Sequence, residues 1–364
     1  MRFDRDSDGA GKPSPIKARP AALGSPLTEV TFAPNPGNLR MFQYLPPGVG
    51  AGAPLVVILH GCGQTAAGYD LGAGWSQLAD QLGFALLAPE QKAVNNPGTC
   101  FNWFNPEDVA RGQGEAASIA GMIGAMVETH RFDVARIFIT GLSAGGAMTA
   151  VMLASYPEMF AGGAIIGGLA FGSAQNVRDA LESMRSAPLR MPSQWGDLVR
   201  AASEHKGAWP KVSIWHGGLD GTVNINNAQA SVAQWADLHG LSLMGAAQEM
   251  TDGALRLSWD EKLEVYTLPA LGHGTPIDSR DVGQAAPFIL EAGISSTRRI
   301  AEFWGLRPAV KSRPKPAPAT PTQFVLPKIE AEILARPELA EPPGKAKLEN
   351  VIVRALKAAG LIRR

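Results

Sequence analysis

Arg136-Ile137-Phe138-Ile139-Thr140-Gly141-Leu142-Ser143-Ala144-Gly145 passes from a short apolar run, through a glycine-flanked serine, into helix-forming residues that continue to about Tyr156. The pattern describes a strand feeding a sharp turn into a helix, with Ser143 at the turn. Such a turn holds a serine in a strained backbone conformation with its oxygen exposed, and flanking glycines let strand and helix approach closely. The helix N-terminus adds unpaired amides that favour a developing negative charge. In a chain with 41 glycines, G-x-S-x-G arises readily by chance, so its weight comes from its place between a strand and a helix.

The same alternation extends to both sides. Upstream, Val30 to Phe32 and Arg40 to Leu45 read as short strands around a Pro-Gly-Asn turn, and Pro54 to Leu59 as a buried central strand. A helix from Trp75 to Leu82, a strand from Phe84 to Pro89 and a helix from Glu115 to His130 follow. Downstream come a short apolar run, Gly163 to Gly168, a strand from Val212 to Trp215 and a helix from Ala228 to His239. The alternating Lys262 to Tyr266 and a last helix near Ser296 to Trp304 complete the series. The order predicts an α/β protein of the α/β-hydrolase fold, a mostly parallel sheet with helices on both faces. Residues 170–210 lose the strands, and with the helical Asn176 to Met184 they read as an insertion over the sheet, a candidate lid.

Composition limits the partners. Of 364 residues 45 % are hydrophobic, enough for one large core, and Lys+Arg balance Asp+Glu at 33 each. No overall basic field for nucleic acid results, nor an acidic one for cations. No stretch reaches the roughly 20 apolar residues of a membrane-spanning helix, and Met1 to Asp6 lacks the apolar core of a secretory signal, which points to the cytoplasm. Residues 1–27 read as a loose, Pro- and Gly-rich arm and 28–307 as the catalytic domain. Residues 308–345, with Lys311 to Pro318, read as a Pro-rich linker. Residues 346–364 place Leu348, Val351, Ile352, Ala355 and Leu356 near one helical stripe, open to docking on a partner, a membrane surface or the chain's own domain.

A serine hydroxyl needs a nearby base, and six histidines are available. His130 and His239 fall late in helices and His205 lies in the insertion, whereas His273 stands in the glycine-flanked loop Leu271 to Thr275 after the last strand of the series. An imidazole there can swing over the strand ends, in the order serine, acid, histidine that this fold uses. The acid expected after an earlier strand is Asp220, in the turn following Val212 to Trp215, with Asp278 and Asp237 as competitors. His216 reads as a structural residue at the strand end. For the oxyanion, His60-Gly61-Cys62-Gly63-Gln64 occupies the loop after the central strand, so the backbone amides of Cys62 and Ala144 are the expected donors.

Leu59 to Gln64, Cys100-Phe101-Asn102-Trp103-Phe104, Arg111 to Ser118 and Gly141 to Gly146 together resemble the polyhydroxybutyrate depolymerase family of esterases, related to feruloyl and acetyl-xylan esterases. The likeness runs from about Pro54 to Gly172, resumes around Trp215 to Trp235 and returns at Gly272-His273-Gly274. It implies a carboxylic-ester substrate, of the polyhydroxyalkanoate, short-chain or aryl type, and carries the family's nucleophile, acid and base onto Ser143, Asp220 and His273. It also implies a disulfide between Cys62 and Cys100, the alternative being two free thiols; the bond would favour an oxidising compartment, against the reading of the N-terminus. Members usually carry an export signal, and Gly63 stands where a threonine is common. Trp103 and Phe104 are candidates to line the substrate pocket, core packing being the other role for such aromatics.

The expected course is an acyl-enzyme on Ser143, with no metal and no organic cofactor. A peptidase or acyltransferase on the same triad is a second reading, and a non-catalytic protein that binds a partner or polymer a third.

Overall fold

A computed structural model describes residues 24–307 and the two-residue strand Arg19–Pro20. The expected linker and C-terminal helix lie outside the described residues. The strands are β1 (Arg19–Pro20), β2 (Thr28–Val30), β3 (Arg40–Tyr44), β4 (Leu55–Leu59), β5 (Ala85–Glu90), β6 (Ile137–Leu142), β7 (Gly162–Ile166), β8 (Lys211–Gly217), β9 (Ala247–Thr251), β10 (Ala254–Trp259) and β11 (Leu263–Leu268). They form one sheet in the order β1-β2-β3-β5-β4-β6-β7-β8-β11-β10-β9. From β5 to β11 the neighbours run parallel, and antiparallel strands extend both edges. A separate pair, β12 (Thr275–Ile277) and β13 (Ile289–Glu291), follows.

The helices are α1 (Ala66–Ala73), α2 (Trp75–Leu82), α3 (Pro106–Val109), α4 (Gly114–His130), α5 (Ala144–Ser155), α6 (Val177–Arg185), α7 (Pro192–Ala202), α8 (Asn226–His239) and α9 (Ser296–Trp304). Alternate residues of each central strand feed opposite cores, as the two-residue period of a strand requires. Leu55, Val57, Leu59, Ile137 and Ile139 join α4, α5 and α8 on one face. Val56, Ile58 and Phe138 join α1, α2 and α9 on the other, where Trp304 stacks on both Phe138 and Trp75. Because both faces are covered, the central strands read as continuous apolar runs.

Two readings need correction. The arm expected over residues 1–27 is not wholly loose, since Leu27 is fully buried and Arg19–Pro20 pairs with Thr28 and Glu29. An unpaired edge strand and a buried leucine draw the chain onto the sheet. The sheet also does not end at β11. The hairpin partner strands β9 and β10 extend it, and β9 was illegible because its residues are largely exposed and polar, with no buried face to impose an alternation. The insertion does carry two helices: α7 packs on α8 through Trp195 and Ala230, and α6 lies over the strand ends.

Candidate active site

The site stands at the C-terminal ends of the parallel strands, where loops from separate strands converge. Ser143 follows β6 directly and precedes α5, with φ 57° and ψ −116°. Its N–H donates to the carbonyl of Ile166, the last residue of β7, at 2.8 Å. The turn is this tight because the glycines beside it have no Cβ. A Cβ on Gly145 would lie 2.2 Å from the Leu59 carbonyl oxygen, and one on Gly141 2.5 Å from the Gly145 backbone.

Asp220 leaves β8 in a turn and is buried. Its Oδ1 accepts the Thr222 and Val223 amides at 2.9 and 2.8 Å, and its Oδ2 accepts His273 Nδ1 at 2.7 Å. Burial by itself would raise this carboxyl, but the hydrogen bond and charge of His273, the Val223 amide and His216 outweigh it and hold it below the usual range. His273 rests on Gly167, where an added Cβ would sit 3.2 Å from its Cε1. Gly167 follows Ile166, the residue that receives the Ser143 amide, so the Ser143 backbone and the imidazole are both set against the end of β7, with no hydrogen bond between Ser143 Oγ and His273 among the described residues. His273 Nε2, the atom facing away from the acid, is buried with no hydrogen-bond partner among the described residues.

The competing acids are engaged elsewhere, Asp278 with Arg280 and Asp237 with Arg200. His216 is buried at the strand end as expected, yet it also faces the acid. Its Nε2 lies 2.8 Å from the Val223 carbonyl and 3.4 Å from Asp220 Oδ2, and burial keeps its pKa low. The backbone amides of Cys62 and Ala144 donate to no protein acceptor among the described residues, and both residues line the cavity that holds Ser143. Cys62 and Cys100 form a disulfide.

Two cavities meet here. The smaller, about 50 Å³ and mainly apolar, is lined by Ser143, Ala144, Trp103, Phe104, Leu169 and Met184, among others. The larger, about 680 Å³, is lined by Asn38, Asn95, Asn102, Asn105, Asp108 and Glu115, and shares Phe104 and Val177 with the first. Trp103 and Phe104 therefore both line the Ser143 cavity. The helix expected at Asn176 to Met184 is α6, whose Val177, Ala180, Leu181 and Met184 line that cavity; sequence reading did not single out those side chains, and it missed the buried chain of polar groups behind the cavity. There His60 Nδ1 donates to the Gly61 carbonyl, its Nε2 accepts the Gln91 amide, and the Gln91 side chain reaches Glu115. An acidic residue in the first turn of a helix whose next twelve residues carry no charge was the available signal for Glu115.

Among the chemistries that parallel-sheet folds carry, this arrangement suits acyl transfer to a serine: the molecule is an α/β-hydrolase, and within that class a serine ester hydrolase. Comparison with known proteins narrows the class. Residues 39–255 match the family model described as Esterase PHB depolymerase, and the chain belongs to that family. It is 41 % identical over 291 residues to poly(3-hydroxyalkanoate) depolymerase C of Paucimonas lemoignei, covering 77 % of this chain and 70 % of that one. It is 32 % identical to feruloyl esterase B of Thermothelomyces thermophilus, covering 72 % of this chain and 93 % of the relative. Among solved structures, acetyl xylan esterase from Aspergillus awamori superposes with a TM-score of 0.67 at 24 % identity, over 77 % of this chain and 99 % of that one, a likeness of fold.

Proposed function

We propose that the protein hydrolyses short-acyl carboxylic esters of the polyhydroxyalkanoate type through an acyl-enzyme on Ser143, with His273 as general base and Asp220 as the acid that orients it. The observation that carries this reading is the 2.7 Å bond between His273 Nδ1 and Asp220 Oδ2, which leaves Nε2 as the free nitrogen of an imidazole set against Gly167 at the end of β7, next in the chain to the residue that receives the Ser143 amide. Ser143 Oγ attacks the ester carbonyl as its proton passes to His273 Nε2, and the carbonyl oxygen becomes an oxyanion held by the Cys62 and Ala144 amides. Collapse breaks the ester C–O bond, and the leaving alcohol takes the proton from His273. Water then attacks the acyl-enzyme, giving its proton to the same imidazole, and the acid departs as Ser143 is reprotonated.

The narrow apolar cavity at Ser143 favours a short acyl group, and the larger cavity that joins it at Phe104 gives room to the rest of an extended substrate. Residues 28–307 form the catalytic domain on this reading, and residues 170–210, through α6, its lid. The test is hydrolysis of p-nitrophenyl acetate, butyrate and octanoate, and of a 3-hydroxybutyrate oligomer, by the protein and its Ser143→Ala variant. Serine-dependent turnover favouring butyrate over octanoate, with oligomer cleavage, is expected. Turnover that survives Ser143→Ala, or cleavage of amide but not ester substrates, overturns the proposal.

A further inference from the structure

Behind the wall of the Ser143 cavity lies a carboxyl group that the reaction does not use. Glu115, in the first turn of α4, is fully buried, the one ionisable side chain among the buried residues of that helix. Its Oε2 accepts the Asn102 backbone amide at 2.8 Å, and its Oε1 accepts Asn102 Nδ2 at 2.7 Å and Gln91 Nε2. Neither amide can turn away. Asn102 Oδ1 is held by Asn96 Nδ2 at 2.9 Å, and Gln91 Oε1 accepts the Lys92 amide and Asn95 Nδ2. Three donors in fixed orientation therefore converge on one carboxyl, which a buried polar group requires but an apolar residue at this position would have made unnecessary.

What these bonds hold is the segment from Cys100 to Phe104. Cys100, Trp103 and Phe104 face the Ser143 cavity, whereas Asn102 and Phe104 face the larger one, so the segment is the partition between the two. Trp103 and Phe104 meet edge to face with centroids 5.5 Å apart. The disulfide ties the segment at Cys100 to the Cys62 loop, and Glu115 ties it two residues later to α4, which is packed on the sheet. With Cys100 and Asn102 both fixed, Trp103 and Phe104 leave from a held backbone, and the depth of the cavity follows from where they stand.

We propose that Glu115 is a positioning residue that fixes the partition from Cys100 to Phe104 and thereby sets the length of acyl chain the Ser143 cavity accepts. The inference rests on the reading of that cavity as the acyl site. Assayed at pH 9, where Glu115 is ionised, Glu115→Gln keeps the shape but turns an N–H donor toward donors, and Asn102→Asp removes the donor from the other side of the same bond. Each variant should shift the ratio of kcat/KM for p-nitrophenyl octanoate over butyrate upward at least threefold, through KM rather than kcat. Hydrogen exchange of the Asn102 amide should accelerate at least tenfold in Glu115→Gln. The double substitution restores a donor–acceptor pair and should return the ratio toward that of the parent. A merely structural role predicts equal losses on both esters and no recovery in the double variant, and that result overturns the proposal, as does unchanged exchange at Asn102. Failure of the parent protein to hydrolyse either ester would instead remove the acyl-site reading, and the exchange measurement would still decide whether Glu115 holds the partition.

Discussion

At Ser143 the backbone takes φ 57° and ψ −116°, a combination that costs a non-glycine residue about 1–3 kcal/mol and persists where the surroundings impose it. The bond from its amide to Ile166 and the contact of Gly145 with Leu59 impose it here. Asp220 is similarly over-determined, with two amides on one oxygen and two imidazoles facing the other. Asp220→Asn presents an N–H to donors on one side or the other, so ester turnover should fall on the order of 10⁴-fold while circular dichroism stays unchanged. Glu115 gives a pH signature. Burial first, then the neighbouring Asp108, pushes it up to about 8, against the pull of the Asn102 and Gln91 hydrogen bonds. The folded form then holds a proton that the unfolded chain releases near its ordinary value, so this group's stabilising effect is complete below that value and fades as pH rises toward 8. Urea titrations of the protein and Glu115→Gln at pH 5 and pH 8 should show the difference moving by about 2–4 kcal/mol against the parent at the higher pH. An unchanged difference would mean Glu115 titrates normally.

At the scale of elements, the turn between β6 and α5 decides whether the site exists. Gly145→Ala places a methyl group against backbone oxygens of Leu59 and His60, which cannot rotate aside. We expect a stability loss of about 1–3 kcal/mol and lower kcat on p-nitrophenyl butyrate, read from thermal unfolding and initial rates. The β6–α5 unit was legible because a fully buried parallel strand, a special turn and a helix each leave a strong local mark. α2 and α9 were likewise legible from their apolar spacing. The hairpin β9–β10 and the short α1 and α3 were not: β9 buries little, and α3 spans four residues, too few for a helical period to show.

For the whole molecule, the Cys62–Cys100 bond joins the loop after β4 to the loop after β5 across a separation of 38 residues. Closing a loop of that length in the unfolded chain contributes about 4 kcal/mol in the chain-entropy model. The double variant Cys62→Ala, Cys100→Ala should lose stability up to that amount by urea unfolding, together with activity, since one cysteine supplies an expected oxyanion amide and the other a cavity wall. Full retention of both would leave the bond a passive feature.

The sequence by itself determined the order of the central strands and of the helices between them and the strand–turn–helix at Ser143, and it offered Ser143, Asp220 and His273 as candidates, because each rests on a local pattern of apolar spacing, glycines and loop placement. It also offered Cys62 and Cys100 as a pair through family likeness. Only the tertiary structure decided that Asp220, rather than Asp237 or Asp278, meets His273. It alone revealed that His216 shares the acid, which side chains of α6 line the cavity, and that Glu115 stands behind its wall. These are contacts between residues far apart in the chain, and local spacing carries no information about which distant side chains the packed sheet brings within hydrogen-bonding reach.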